Sequence, residues 1–144
     1  MAKFVGEFNH SIDAKGRVII PAKLRDELGA SFVVTMGLDG CLYAYPMNEW
    51  EKFLEKLEHL PGSRDARTLQ RMFMANAANV DMDKQGRALI PTGLREKAGL
   101  DKDIVFIGVL SKIEIWSKER LGDTSDDAGM EDIADRMSEY GLSF

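Results

Sequence analysis

Two segments of this chain, seventy residues apart, carry nearly the same sequence, and that duplication constrains its fold more than any other feature. Residues 13–29 read DAKGRVIIPAKLRDELG and residues 83–99 read DKQGRALIPTGLREKAG, with eight of seventeen aligned positions identical. The identities are Asp13/Asp83, Gly16/Gly86, Arg17/Arg87, Ile20/Ile90, Pro21/Pro91, Leu24/Leu94, Arg25/Arg95 and Gly29/Gly99. An ungapped match of this density marks an internal duplication. Glycine and proline fix backbone, isoleucine and leucine supply core, and what remains is charge. A duplicated charged turn on a duplicated scaffold predicts two like-shaped surfaces about a pseudo-two-fold axis. Such a pair suits a symmetric partner, of which duplex DNA is the commonest.

Local signals give the element order. Residues 4–12 alternate partially and read as a strand. Asp13–Gly16 is a tight turn with Gly16 available for positive φ. Arg17–Ile20 is a β-branched strand that stops at Pro21, and a proline at the first helical position predicts a short helix over Pro21–Leu28. Gly29 supplies a left-handed stop. Phe32–Met36 and Cys41–Tyr45 predict a hairpin around Asp39-Gly40. The second copy repeats this: strand 77–82, turn Lys84–Gly86, strand Arg87–Ile90, helix Pro91–Ala98, hairpin Ile104–Val109 with Ile113–Trp116. Between the copies, Asn48 and Glu51 resemble a capping box ahead of an apolar stripe of Trp50, Phe53, Leu54 and Leu57. After the break at Pro61-Gly62-Ser63, a helix over 64–75 sets Leu69, Met72 and Phe73 on one face and Arg64, Arg67 and Arg71 on another. The arginine face reads as solvated or as a subunit contact. Residues 122–129 read as a flexible linker, leading to a weakly amphipathic segment with Ile133, Met137 and Tyr140 at helical spacing.

Each repeat of about 50 residues has a marginal core by itself, so the halves are predicted to fold against each other. No run of 18 apolar residues and no cleavable leader is present, which predicts no membrane span and no signal peptide. One cysteine, Cys41, and two histidines, His10 and His59, predict neither an internal disulfide nor a metal site, and a reducing cytoplasm follows as the compartment. The net charge of −5 is unfavourable for a nucleic-acid binder until its distribution is considered. Residues 121–144 hold seven acids against Arg136 alone, leaving residues 1–120 with 18 basic and 17 acidic side chains. A near-neutral body binds DNA if its basic groups cluster, with modest affinity per subunit.

Asp13 and Arg17 lie four residues apart across the turn, as do Asp83 and Arg87. Each pair can form a salt bridge that stiffens the turn while leaving guanidinium donors for guanine or phosphate; a purely structural ion pair fits the same spacing. Lys15 adds positive charge to the first turn. Its counterpart Gln85 can read an adenine edge without adding charge, so the first turn is expected to attract DNA more strongly. Arg25 and Arg95 are open to DNA contact or to pairing with acids such as Asp26 or Glu27. Catalysis finds little support. Nothing ties Cys41 to a histidine, the glycines lack the spacing of a phosphate loop, and the carboxylates form no recognisable pair. No enzyme activity and no cofactor are expected.

The two Asp-x-x-Gly-Arg-x-x-Ile-Pro motifs, the spacer between them, Tyr45-Pro46-Met47-Asn48-Glu49-Trp50 and the closing Ile113-Glu-Ile-Trp116 together resemble the MraZ family, over residues 1 to about 121. These are bacterial transcriptional regulators built from two SpoVT/AbrB-like modules. The resemblance implies a mainly β fold with short helices (α+β), a swapped-hairpin β-barrel formed by two tandem AbrB-like repeats in one chain. Repeat 1 would span 5–47, a helical connector 48–75, repeat 2 76–119, and an acidic, partly flexible tail 122–144. It also implies a ring-shaped homo-oligomer, octamer or dodecamer, in the cytoplasm at the nucleoid. The ring would bind double-stranded DNA at short direct repeats upstream of the division and cell-wall gene cluster, including its own gene. Carried onto this sequence, the DNA-binding set is Asp13, Lys15, Arg17, Asp83, Gln85 and Arg87, to which Arg25 is added from the reading of the helices. The rival is an antitoxin-like protein-interaction module of the same superfamily, kept open by the acidic tail.

Overall fold

The strands of each repeat pair mainly with strands of the other. In the computed structural model, which describes residues 3–124 and 129–143, repeat 1 supplies β1 (Glu7–Ser11), β2 (Arg17–Ile19), α1 (Ala22–Leu28), β3 (Ser31–Met36) and β4 (Leu42–Pro46). The connector is α2 (Met47–Glu58) and α3 (Arg64–Ala75). Repeat 2 supplies β5 (Ala78–Asp81), β6 (Arg87–Leu89), α4 (Thr92–Ala98), β7 (Asp103–Val109) and β8 (Lys112–Ser117), followed by α5 (Lys118–Asp123) and α6 (Met130–Met137). Part of the linker expected at 122–129, residues 125–128, lies outside the described residues.

An antiparallel six-stranded sheet runs β1-β7-β8-β4-β3-β5, and β2 and β6 form a separate ribbon. The opening strand of each repeat is thus exchanged: β1 lies on β7 and β5 lies on β3. The pseudo-two-fold passes between β4 and β8, where Leu42 faces Ile115 and Ala44 faces Ile113. It also passes through the ribbon, where Val18 faces Ala88. Single bridges, Ile12 to Val18 and Met82 to Ala88, join the ends of the exchanged strands to the ribbon, so pairing runs round the molecule with two thin seams. This is the mainly β, swapped-hairpin arrangement of two tandem repeats.

The large sheet is covered on both faces, which explains why its strands read as apolar runs rather than as simple alternation. On one face Phe32, Val34, Leu42, Ala44, Ile104, Phe106, Ile113 and Ile115 pack with Val18, Ala88 and the inner sides of α1 and α4. On the other, Val33, Tyr43, Tyr45, Val105 and Trp116 pack with Trp50, Leu57 and Phe73 of the connector. The ribbon and the connector therefore lie on opposite sides of the sheet. Phe53 joins the connector side, stacked on Tyr45 with ring centres 5.4 Å apart and edge-on to Phe73 at 5.0 Å.

Several local expectations are refined. The prolines sit at the N-cap of α1 and α4, one step before the first helical residue. Gly29 ends α1 at φ 84° but with extended ψ, whereas Gly99 ends α4 in the left-handed helical region. The capping box at Asn48 and Glu51 does not form, because β4 runs straight into α2 through Pro46 and Asn48 already lies inside the helix. In the connector a cap does form at Ser63 on α3, whose hydroxyl accepts the Ala66 amide at 3.1 Å. Of the predicted α3 face, Phe73 is buried while Leu69 and Met72 stay exposed. At the Asp39-Gly40 turn both residues have positive φ. Helix α5, unforeseen in sequence, packs on β7 and β8, and Arg120 donates to the carbonyls of Gly40 and Lys97, both at 2.9 Å.

Gly108 is where the fold tolerates least. The backbone of Phe4 and Val5 crosses it, with the Gly108 amide donating to Gly6 at 2.8 Å, and a Cβ would run into that backbone. Gly108→Ala is expected to cost roughly 2–3 kcal/mol, as overpacking against main chain does, and to lower the melting temperature by roughly 5–10 °C. Gly122→Ala, whose Cβ would meet nothing within 4 Å, is the control: it lies in α5, so alanine should leave the melting temperature unchanged or raise it slightly. Coincident curves for the two variants would contradict the close crossing.

Candidate nucleic-acid interface

Each charged turn is organised by its aspartate. One carboxylate oxygen of Asp13 accepts the amides of Lys15 and Arg17, both at 2.9 Å, while the other accepts Arg17 Nε at 2.9 Å. Asp83 repeats the pattern with the Gln85 and Arg87 amides at 2.9 Å and Arg87 Nε at 2.8 Å. The Asp13 amide donates to the Arg17 carbonyl and the Gly16 amide to the Asp13 carbonyl, which closes the loop. Both ion pairs are exposed; the Arg17 and Asp13 side chains keep 39% and 43% of their accessible surface. Because Nε alone faces the carboxylate, the terminal guanidinium nitrogens of both arginines remain available to an outside acceptor.

The Asp13 carboxyl is held below the ordinary carboxylate range, chiefly by the Arg17 amide; desolvation opposes this, and the Arg17 side chain and Lys15 amide reinforce it. Asp83 is lowered in the same direction, again first by the Arg87 amide. A depressed folded value means the linked stability is fully present above the unfolded carboxylate pKa of about 3.9 and is lost as pH falls through the folded value. In Arg17→Ala the Asp13 carboxyl, followed by carbon-detected NMR titration, is expected to rise only part of the way to the ordinary value, because the amide donors persist. A complete return would mean that the side-chain pair, not the backbone, builds the turn.

Antiparallel pairing sets the two turns at opposite ends of the β2–β6 ribbon. Arg17 faces Leu89 and Ile19 faces Arg87, so the two arginines are diagonal neighbours, roughly 7–8 Å apart at Cα. Val18 and Ala88 point into the core, leaving Arg17, Ile19, Arg87 and Leu89 on the outer face. Arg25 and Arg95 complete the surround. Arg25 Nε donates to its own strand end at Ile20 (2.8 Å) and its guanidinium lies against Gly86 of the opposite turn; Arg95 bonds Ile90 (2.9 Å) and lies against Gly16. Gly16 and Gly86 have φ of 86° and 83°, and a Cβ on either would strike the guanidinium. The repeated glycines and arginines are thus halves of one reciprocal interlock across the two-fold.

Arg25 forms no ion pair with Asp26 or Glu27 among the described residues; Glu27 accepts the Lys3 amide at 3.0 Å instead. The expected charge difference between the turns also disappears. Lys84 stands where the first turn has Ala14, so each turn carries one lysine, and the offset alignment already contains that signal. Arg95 shares every structural feature of Arg25 and belongs beside it. Arg64, Arg67 and Arg71 lie on α3, across the sheet from the ribbon. Cys41 is fully buried, donates to the Leu38 carbonyl at 3.3 Å, and burial pushes its thiol up to about 12, so it stays protonated at neutral pH. His10 meets Phe106 edge-on and His59 Nδ1 lies 2.7 Å from the Glu55 carbonyl oxygen. Among the described residues no group of His, Cys, Asp and Glu side chains could hold a metal ion, and no helix is long and apolar enough to cross a membrane.

Comparison with known proteins agrees with this duplicated geometry. A family model described as "MraZ protein, putative antitoxin-like" matches twice, over residues 3–73 and 72–139. The chain belongs to the MraZ family. It is 66% identical to the transcriptional regulator MraZ of Lachnoclostridium phytofermentans over 141 residues, covering 98% of this chain and 99% of the relative. It is 52% identical to that of Clostridium beijerinckii and 48% identical to that of Heliobacterium modesticaldum, in each case over 96% of this chain and 99% of the relative. The MraZ match reaches residue 139, taking in α5 and α6, past residue 121 where the sequence motifs give out.

Proposed function

We propose that the protein is a sequence-specific DNA-binding transcriptional regulator that reads duplex DNA with the outer face of the β2–β6 ribbon and its two flanking turns. The observation that carries this reading is the pair of turns with the same hydrogen-bond pattern, each holding an arginine by Nε, on one two-fold-related surface. Arg17 and Arg87 are the reading groups. Asp13 and Asp83 orient them, Lys15 and Lys84 supply phosphate attraction, and Gln85 offers an amide to a base edge. Arg25 and Arg95 brace the turns and add positive charge. The naming of the relatives as transcriptional regulators supports the same class.

One or two base contacts per subunit, each worth about 1–3 kcal/mol, give weak binding. A ring-shaped homo-oligomer presenting the turns at regular spacing would engage several short direct repeats together and gain affinity by avidity. The expected operator lies upstream of the protein's own gene, at the head of a division and cell-wall gene cluster. Gel-shift titration with that upstream DNA is the test: a retarded complex, competed poorly by unrelated duplex, is the expected result. Equal retardation of unrelated DNA, or none, would contradict it.

A second reading draws on the segment from α6 to residue 140, where Met130, Met137 and Tyr140 are exposed, and on the antitoxin-like wording of the family description. In it the tail grips a protein partner. Truncation after Thr124, which keeps α5 in place, is expected to leave DNA affinity unchanged or raise it by removing negative charge. A large loss of affinity would make the tail part of the working surface.

A further inference from the structure

The outer face of the ribbon carries two residues that neither the charged-turn motif nor the ion-pair geometry explains. Ile19 and Leu89 keep 47% and 55% of their surface exposed. An antiparallel ribbon with one face on the core ordinarily turns polar side chains to water. Here both repeats put a branched aliphatic there instead. The register makes the face a four-residue checkerboard, with Arg17 beside Leu89 and Ile19 beside Arg87, guanidinium groups on one diagonal and aliphatic groups on the other. Each aliphatic side chain therefore lies next to a guanidinium whose terminal nitrogens are available.

Major-groove chemistry has a counterpart for both elements. A two-stranded ribbon fits the groove, arginine matches the O6 and N7 acceptors of guanine, and the one apolar group on a base edge is the C5 methyl of thymine. We infer that Ile19 and Leu89 are specificity-determining residues that read thymine C5 methyl groups, each next to a guanine read by Arg87 or Arg17. The inference rests on the DNA-reading function proposed above and extends it. It assigns base discrimination to positions outside the identity pattern of the repeats, and it requires thymine beside guanine in both halves of the contacted step.

Thymine-to-uracil replacement isolates the methyl group, since it removes that group and keeps the base pairing. Full-length protein is titrated against upstream duplex in which each thymine is replaced singly by uracil, and the series is repeated with Ile19→Ser/Leu89→Ser. Wild type is expected to lose about three- to fivefold in affinity at one or two thymines per contacted site, the loss corresponding to one methyl group taken from an apolar contact. The double variant is expected to bind the all-thymine duplex more weakly and to be indifferent to uracil. Both side chains are exposed, so its melting curve should match wild type. Binding indifferent to every uracil overturns the inference while leaving the proposed function standing, as does a double variant with undiminished uracil sensitivity. A double variant that changes oligomeric state yet keeps the methyl dependence would place the pair at a subunit contact and overturn it too. If wild type binds no duplex at all, the proposed function falls and this inference falls with it.

Discussion

Arg17→Ala is expected to abolish measurable binding to repeat-containing DNA while leaving assembly intact and shifting the melting temperature by no more than a few degrees. The small stability effect follows from exposure: an ion pair as solvated as Arg17–Asp13 contributes about 0–1 kcal/mol, and the backbone donors to Asp13 remain without the side chain. The large binding effect follows from repetition. Each subunit of a multivalent assembly loses the same ~1–3 kcal/mol contact, and the losses compound across every engaged repeat. A guanine contact would also relax sequence preference, whereas a phosphate contact would lower the salt slope of log K by about one per site. Arg87→Ala should weaken binding to a similar degree, since Lys84 gives the second turn the same formal charge as the first. If Arg17 were only a turn staple, the signature would reverse. Stability would fall, and affinity would drop only in proportion to folded protein.

Neither half of the chain is expected to fold alone. Cutting at Gly62 removes the pairing of β1 with β7, β4 with β8, β3 with β5 and β2 with β6 together. Of the named strand pairs, residues 1–62 would keep the β3–β4 hairpin, and the remainder would keep β7–β8. A single hairpin is at best marginally stable in water. Each fragment should show no cooperative melt as a monomer, and mixing the two should restore the native circular dichroism and melting transition. Sedimentation must accompany the measurement, because a half built on a pseudo-two-fold has a surface that suits a second copy of itself. Two stable monomeric halves would contradict strand exchange.

How much of this was legible in the sequence depends on the range of the interaction. The turns, both hairpins and α3 follow from glycine, proline and apolar spacing acting within a few residues, and the structure reproduces them. The duplicated Asp-x-x-x-Arg pairs also appear as read, because i to i+4 across a fixed turn is local geometry. The Arg25–Gly86 and Arg95–Gly16 interlock could not be derived that way. It joins residues about sixty and eighty positions apart, and in sequence an arginine on a short helix is equally compatible with a carboxylate partner. Helix α5 was hidden for a related reason: its segment has little apolar content, and its anchor is the reach of Arg120 to Gly40 and Lys97. The capping box was suggested by local composition but prevented by its surroundings, since β4 leaves no room for a cap before Met47. The outward placement of Ile19 and Leu89 needed the ribbon register, because three-residue strands are too short for alternation to declare a face.

Photo-crosslinking distinguishes DNA on the ribbon side of the sheet from DNA on the connector side. A benzophenone side chain is placed at position 15 or 85 on the turns, or at position 64 or 71 on α3 across the sheet, and each protein is irradiated with its upstream duplex. Strong crosslinks from 15 and 85 and none from 64 or 71 are predicted. Crosslinks from α3 with silent turns would place the DNA on the connector side instead.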